Sequence, residues 1–477
     1  MPLLMQYILI YHKKFKSQVT IFNFFTAYFP QRRFDFFSQS VYIMKNIETD
    51  SGFYKEVIMK YIERAIGAKL LQAIRNYKSV LITGSRQVGK STLLKKLLPD
   101  YKYISLDDPF LEQQAKENGN MFMMLNPPPV IIDEVQHAPE LFRHIKIKCD
   151  ETEERGLFCL SGSQQFRLMK NVSETLSGRI SIIELNGLSL REIQRDPFCQ
   201  RFLPTMEYVQ ARQKTARAPE NIWEIIHRGA YPELQNPEMD WSTYYADYVK
   251  TYIERDVREL SAVQDLDSFK RFVIATAART GEVLNYSNIA NEVGKDAVTI
   301  KNWISILEAS GIIYLLEPYA NSALKRAIKT PKVYFRDTGL ACYLTRWLSA
   351  ETLAYGAMSG HMFETFVISE ILKSFSNLGL DYRHFISYYR GHDKIKTKVN
   401  GEIAAIEGEI DLIIEEDGVC YPIEIKQNSN VSATETSAFQ VLDKLENKKR
   451  GMGAIICNCP QPGMLRENIL QLPVWYI

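Results

Sequence analysis

No Cys-x-x-Cys pair occurs among the seven cysteines of this 477-residue chain. The odd number and wide spacing exclude a disulfide framework and a zinc ribbon. Cys457 and Cys459 are the closest pair, too little for a metal site, and the pattern fits a reducing cytoplasm. An excess of one charge is missing too: 58 Lys and Arg face 56 Asp and Glu, for a net charge of +2. No global field therefore draws the chain to nucleic acid or membrane, and local basic runs must supply any such affinity. Residues 1–37 are rich in Phe, Tyr and Ile, but Lys13, Lys14 and Lys16 break the stretch well short of a spanning length. Those lysines follow the apolar run, against the order of a signal peptide. No membrane partner is expected, and residues 1–58 read as an extension upstream of a biological start near Met44 or Met59.

What is present is an ordinary composition, 46% hydrophobic and 24% charged, over a length that suits about two to four domains. Within it, Gly84-Ser85-Arg86-Gln87-Val88-Gly89-Lys90-Ser91 fits the pattern G-x-x-x-x-G-K-[ST] at every fixed position. Residues 79–83 read as a buried strand before it, and residues 91–98 open a helix after it, with Thr92 in its first turn. Such a loop wraps a polyphosphate in backbone N–H groups at a helix N-terminus. The pattern assigns Lys90 to the β- and γ-phosphates and the Ser91 hydroxyl to Mg²⁺. ATP and Mg²⁺ are thus the expected ligands, and residues 84–92 the expected contacts.

Residues 127–134 form a short apolar run that ends in Asp133 and Glu134. A run of this length suits a strand buried on both faces of a parallel sheet. At its carboxyl end Asp133 is placed to hold the Mg²⁺ shell and Glu134 to polarise an attacking water, the two groups phosphoryl transfer requires. A third strand, 156–160, runs into Ser161-Gly162-Ser163-Gln164, where Gln164 could sense the γ-phosphate and help place water. Together with Leu176-Ser177-Gly178-Arg179, this ordered set resembles the AAA+-type ATPases of bacteria and archaea that continue into a large C-terminal domain of uncharacterised function. The resemblance covers roughly residues 59–477 and includes His227-Arg-Gly-Ala-Tyr-Pro-Glu233 and Tyr252-Ile-Glu-Arg-Asp256. It implies a charge-stabilising arginine at Arg179, acting in a neighbouring subunit or in its own chain; a surface arginine paired to an acid is the plainer alternative.

Residues 59–195 alternate strands with helical stretches, which predicts an α/β fold with a parallel sheet covered on both faces. The expected strands are 79–83, 102–106, 129–133, 156–160 and 180–185. Residues 196–268 read as a helical linker region whose stripe of Trp241, Tyr244, Tyr245, Tyr248 and Tyr252 belongs to the core. Residues 269–345 show a helix over 286–294 capped by Gly294, a second over 297–310 and a strand over 312–316, the order of a winged helix. In a DNA-binding version Lys295, Thr299, Lys301 and Asn302 would be the outward readers, and Lys325, Arg326, Lys329 and Lys332 would hold phosphates. A winged helix that only packs against protein is the competing reading.

Residues 346–477 are expected to form a restriction-endonuclease-like α/β domain. Residues 408–414 alternate polar and apolar, so Glu409 and Asp411 share one face of a strand. A turn at 416–418 leads back into a second strand whose Glu424 and Lys426 also share a face. Asp411, Glu424 and Lys426 stand in the positions of a D…(D/E)-x-K core, and Glu364 resembles the helical glutamate that precedes it. Two carboxylates on adjacent strands can bind Mg²⁺ beside a scissile phosphate, with the lysine aiding hydroxide formation; a structural hairpin is the alternative. Residues 391–405, with Lys394, Lys396 and Lys398, either grip DNA or loop out. Three functions follow: an ATPase that drives a DNA-related module, a slow nucleotide switch or assembly protein, and an ATP-regulated nuclease. DNA and a second copy of the chain are the candidate partners.

Overall fold

The computed structural model describes residues 46–49, 52–55, 61–163, 175–253, 265–319, 329–396 and 403–477. Residues 1–61 and 62–477 are separate units. In the first, β1 (Asn46–Thr49) and β2 (Gly52–Lys55) pair antiparallel.

In the second unit the expected strands appear within one or two residues of their sequence positions. They are β3 (Ser79–Thr83), β4 (Lys102–Ser105), β5 (Val130–Asp133), β6 (Phe158–Ser161) and β7 (Ile180–Glu184). All pairings are parallel, in the order β4-β5-β6-β3-β7. Every residue of β3, β5 and β6 is buried, as expected of strands covered on both faces. The alternation of side chains splits the core in two. Val80 and Ile82 pack with Leu70 and Ile74 of α1 (Gly67–Asn76) and with Leu93 and Leu94 of α2 (Lys90–Leu97). Leu81 packs on the other face with Phe142 and Ile145 of α3 (Leu141–Asp150). The fold is α/β, a parallel sheet between helices followed by a separate mixed sheet.

The aromatic stripe forms core: Trp241, Tyr244, Tyr245 and Tyr248 of α4 (Trp241–Tyr248) are all buried. Residues 254–264, with most of the Tyr252 motif, lie outside the described residues. Next come α5 (Leu266–Ala277), α6 (Tyr286–Val293) and α7 (Ala297–Ala309), then an antiparallel pair, β8 (Ile313–Leu316) with β9 (Lys332–Phe335). Gly294 closes α6 at φ 74°, and the Asp296 side chain caps α7 through the Thr299 amide. The long helix α8 (Ser359–Ser376) precedes a mixed sheet. There β10 (Ile386–Lys396), β11 (Ile403–Glu416) and β12 (Val419–Lys426) run antiparallel. Asp417 and Gly418, both at positive φ, make the turn between β11 and β12. β14 (Gly453–Cys457) and β16 (Ile469–Pro473) extend the sheet parallel to β12, with β13 (Lys449–Arg450) beside β12 and β15 (Gly463–Arg466) at the edge. Residues 391–396 continue β10 against 403–408, and residues 397–402, with Lys398, lie outside the described residues. All seven cysteines are free, and no helix among the described residues is long and apolar enough to cross a membrane.

Candidate active site

The phosphate loop leaves β3 at its carboxyl end, where Gly84 adopts φ 143° and Gly89 φ 93°. A side chain at Gly84 would meet the Leu185 carbonyl at 2.2 Å, so only glycine lets the loop pass this close to the segment after β7. Gln87 also lies in the left-handed region, and Lys90 and Ser91 open α2. The Lys90 ammonium donates to the Gly84 and Ser85 carbonyls at 3.0 and 2.9 Å, buried across the mouth of the loop. A residue the sequence did not single out fixes the loop from behind. Arg64, buried, donates to the Val88 carbonyl at 2.8 Å and to the Asn186 carbonyl at 2.6 Å, and pairs with Glu192 at 3.0 Å. No motif announces it, because its partners are backbone oxygens distant in sequence.

The acids stand one strand beyond β6. Asp133 ends β5, 4% exposed, with one carboxylate oxygen accepting from the Ser161 hydroxyl and the other from the Tyr103 phenol at 2.5 Å. Burial and the Asp133 carboxylate push the phenol well above its ordinary pKa, which keeps it a donor. The nearby Ser91 and Ser105 hydroxyls act in the opposite direction and lower it. Ser91 opens α2 near this phenol and Asp133 accepts from it, and a hydroxyl with a carboxylate is a donor set that suits a hard divalent cation. Glu134 follows at φ 53°, a left-handed conformation uncommon for a non-glycine residue. Its carboxylate accepts from Gln136 and, at 3.3 Å, from Ser163 at the end of β6. Ser163 thus stands beside Glu134, while Gln164, the expected sensing residue, lies outside the described residues.

Arg179 is not part of this group. The Ser79 amide donates to its carbonyl, which puts it at the amino end of β3, opposite the loop. Five strand residues at about 3.3 Å each separate the two ends, beyond the span of one arginine. Its guanidinium instead forms a two-point pair with Asp150 at 2.5 and 3.1 Å. The same-chain role therefore fails on distance, and the surface-pair alternative describes the contact.

The C-terminal residues do converge, though with an unexpected member. Lys332, 2% exposed, donates to Glu364 at 3.1 Å and to Glu409, and stands 3.8 Å from Asp411. The sequence placed Lys332 in an outward basic run. It faces inward instead, from β9 onto Glu364 of α8 and onto Glu409 and Asp411 of β11. Burial works to lower this ammonium and is outweighed by Tyr334, Glu364, Asp411 and Glu409, which hold it well above its usual range. Asp411 accepts from the Ile425 amide at 2.9 Å, and Glu424 from Lys426 at 2.6 Å. One Glu424 oxygen is buried without a partner among the described residues. Burial, then the charge of Glu364, pushes Asp411 up to about 6; burial, then Asp411, pushes Glu424 up to about 9. Among the described residues no cluster of three or more His, Cys, Asp and Glu is arranged to hold a metal ion. Two further expected DNA readers are engaged locally: Lys295 pairs with Asp265 at 2.7 Å, and Thr299 donates to Asp296 at 2.7 Å. Lys301 and Asn302 are exposed, and Lys325 and Arg326 lie outside the described residues.

Residues 76–194 match the family model of an AAA domain. Residues 219–351 and 359–477 match two domains of unknown function, DUF8612 and DUF4143. The uncharacterized proteins Rv2008c of Mycobacterium tuberculosis and Mb2031c of Mycobacterium bovis are each 24% identical over 392 residues, covering 80% of this chain and 77% of theirs. Among solved structures, the Walker-type ATPase PABY2304 of Pyrococcus abyssi covers 58% of this chain and 94% of its own at 15% identity, TM-score 0.35. AMPPCP-bound DnaA from Aquifex aeolicus covers 51% of this chain and 86% of its own at 16% identity, TM-score 0.24. The family model over residues 76–194 and the phosphate-loop sheet identify an AAA-type P-loop ATPase domain.

Proposed function

We propose that this AAA-type domain hydrolyses ATP and that the nucleotide state governs the C-terminal half of the same chain. The observation that supports it is the convergence of three strand ends: the phosphate loop after β3, Ser163 after β6, and Asp133 with Glu134 after β5. Lys90 turns from the loop carbonyls to the β- and γ-phosphates, and the backbone N–H groups of residues 84–92 wrap the rest. Ser91 and Asp133 would hold a divalent cation, which would neutralise phosphate charge. Glu134 orients the attacking water, and Ser163 holds that carboxylate in place. Turnover by the full chain, measured with and without single- and double-stranded DNA, tests this. Hydrolysis lost in Lys90→Ala supports it, and equal turnover in that variant rejects it. Stimulation by DNA identifies the output as DNA-related.

Nucleotide-gated assembly is favoured over a nuclease by one observation, the Lys332 ammonium among the carboxylates that a metal would need. The cluster is already neutralised from within and ties β9 to the C-terminal sheet. The three helices and two strands of residues 266–335 have the order of a winged helix, and Lys301, Asn302 and Lys329 are among the exposed residues it offers a partner.

A further inference from the structure

The sequence gives Tyr103 no motif and the proposed chemistry no role, yet its phenol stands at the centre of the acid site. Tyr103 lies on β4, whose parallel register sets Ser105 beside Asp133. The phenol donates to Asp133 Oδ2 at 2.5 Å, close to the Ser91 and Ser105 hydroxyls. The Lys95 ammonium of α2 sits 3.7 Å from the ring centroid, which holds the ring against the helix that the loop opens. One neutral oxygen thus holds the strand-end carboxylate beside the loop hydroxyl, the two groups that the ATPase reading gives to the divalent cation. An ion drawing on that carboxylate oxygen must take the bond that the phenol now makes. The other Asp133 oxygen remains fixed by Ser161, so the carboxylate keeps its orientation when the phenol leaves.

We propose that Tyr103 is a positioning residue of the cation site: its hydroxyl holds the Asp133 carboxylate and must yield it for the ion to bind. The phenol therefore competes with the cation and sets the concentration at which it enters. This rests on the ATPase reading of the site. Removing only the hydroxyl should tighten divalent-ion binding, since a hydrogen bond to a charged group no longer has to be broken. The gain should be about tenfold or more, the scale of one such bond. The phosphate loop makes no use of this hydroxyl, so nucleotide affinity without metal should not change.

The experiment is calorimetric titration of Mg²⁺ into the full chain saturated with ADP, comparing wild type with Tyr103→Phe, after ADP affinity has been measured in EDTA. The expected result is about tenfold tighter Mg²⁺ in Tyr103→Phe with equal ADP affinity. In an Asp133→Asn background the same substitution should change Mg²⁺ affinity by less than about twofold, because the competed carboxylate is gone; a merely structural role would persist there. Unchanged or weaker Mg²⁺ binding in Tyr103→Phe overturns the assignment of Tyr103 alone. Failure of the wild type to bind ADP overturns the site reading beneath it.

Discussion

Glu134 is held at φ 53° between two donors, Gln136 and Ser163, and an outlier of this kind at a strand end is where strain serves chemistry. The carboxylate is aimed by its backbone, so replacing it with an amide of the same shape keeps the aim and removes the charge. Glu134→Gln should therefore bind ATP as tightly as wild type while turnover falls by about 100-fold or more, the mark of a role confined to the transition state. Steady-state hydrolysis with nucleotide binding measured in parallel checks this; undiminished turnover rejects it. Charge decides the C-terminal cluster in another way. Glu424 is raised in the folded chain to about 9 from an ordinary value of 4.5, so the folded state holds a proton that the unfolded state has lost. Its contribution is complete below about pH 4.5 and is lost as pH rises toward 9. Glu424→Gln should raise the melting temperature at pH 8 relative to wild type, by at least about 1 kcal/mol of stability, and make little difference at pH 4. A melting-temperature difference independent of pH would contradict the burial of this carboxylate.

At the scale of elements, the sheet was legible because a phosphate loop needs a strand before it and a helix after it, and buried parallel strands read as apolar runs. The hairpin of β11 and β12 was legible for a similar reason, since the period of two puts Glu409 with Asp411, and Glu424 with Lys426. What could not be read is what comes between elements distant in sequence. Lys332, Tyr103 and Arg64 look like a surface lysine, a strand aromatic and a polar leader until folding supplies their partners. The segment 227–233 shows what such a resemblance meant physically. Gly229 sits at φ 87°, and a Cβ there would lie 2.2 Å from the Tyr245 hydroxyl and 2.9 Å from both Asp337 oxygens. Asp337 accepts from the Ala230 amide, the Leu340 amide and the Tyr245 hydroxyl at 2.5–2.7 Å, so this contact locks the segment to α4 and to the start of the helix Thr338–Leu344. Pro232 then packs beside Gly89 of the loop. Gly229→Ala should destabilise the chain by about 2 kcal/mol or more, through both the positive φ and the clash. Chemical denaturation followed by fluorescence checks it, and a variant as stable as wild type would mean that the Asp337 junction is slack.

Across the whole second unit, one core cluster runs from Ile66 to Ile477. The chain's end is held by the middle of the chain: Tyr208 donates to the Tyr476 carbonyl at 2.8 Å and Arg212 to the Trp475 carbonyl at 2.9 Å. Between the phosphate loop and the C-terminal sheet lies the segment 184–192, gripped from both sides. On the loop side, the Leu185 amide donates to the Thr83 carbonyl and Arg64 holds the Asn186 carbonyl. On the other side, α8 supplies Glu370, which accepts from the Leu190 amide at 2.8 Å, and Lys373, which donates to the Leu188 carbonyl at 2.9 Å. The same helix carries Glu364 into the Lys332 cluster. A loop that closes on nucleotide must move or brace this segment, and α8 is the rigid element that would feel it. Nucleotide should therefore raise hydrogen-exchange protection in residues 359–376 of the full chain, with a coupling of about 1–3 kcal/mol. Glu370→Gln should reduce that response while leaving the phosphate loop's own protection intact, since the amide keeps the size of the carboxylate but loses its pairing with Lys373 at 2.8 Å. Exchange in α8 that ignores ADP in the wild type would show that the two halves share a core without sharing a signal.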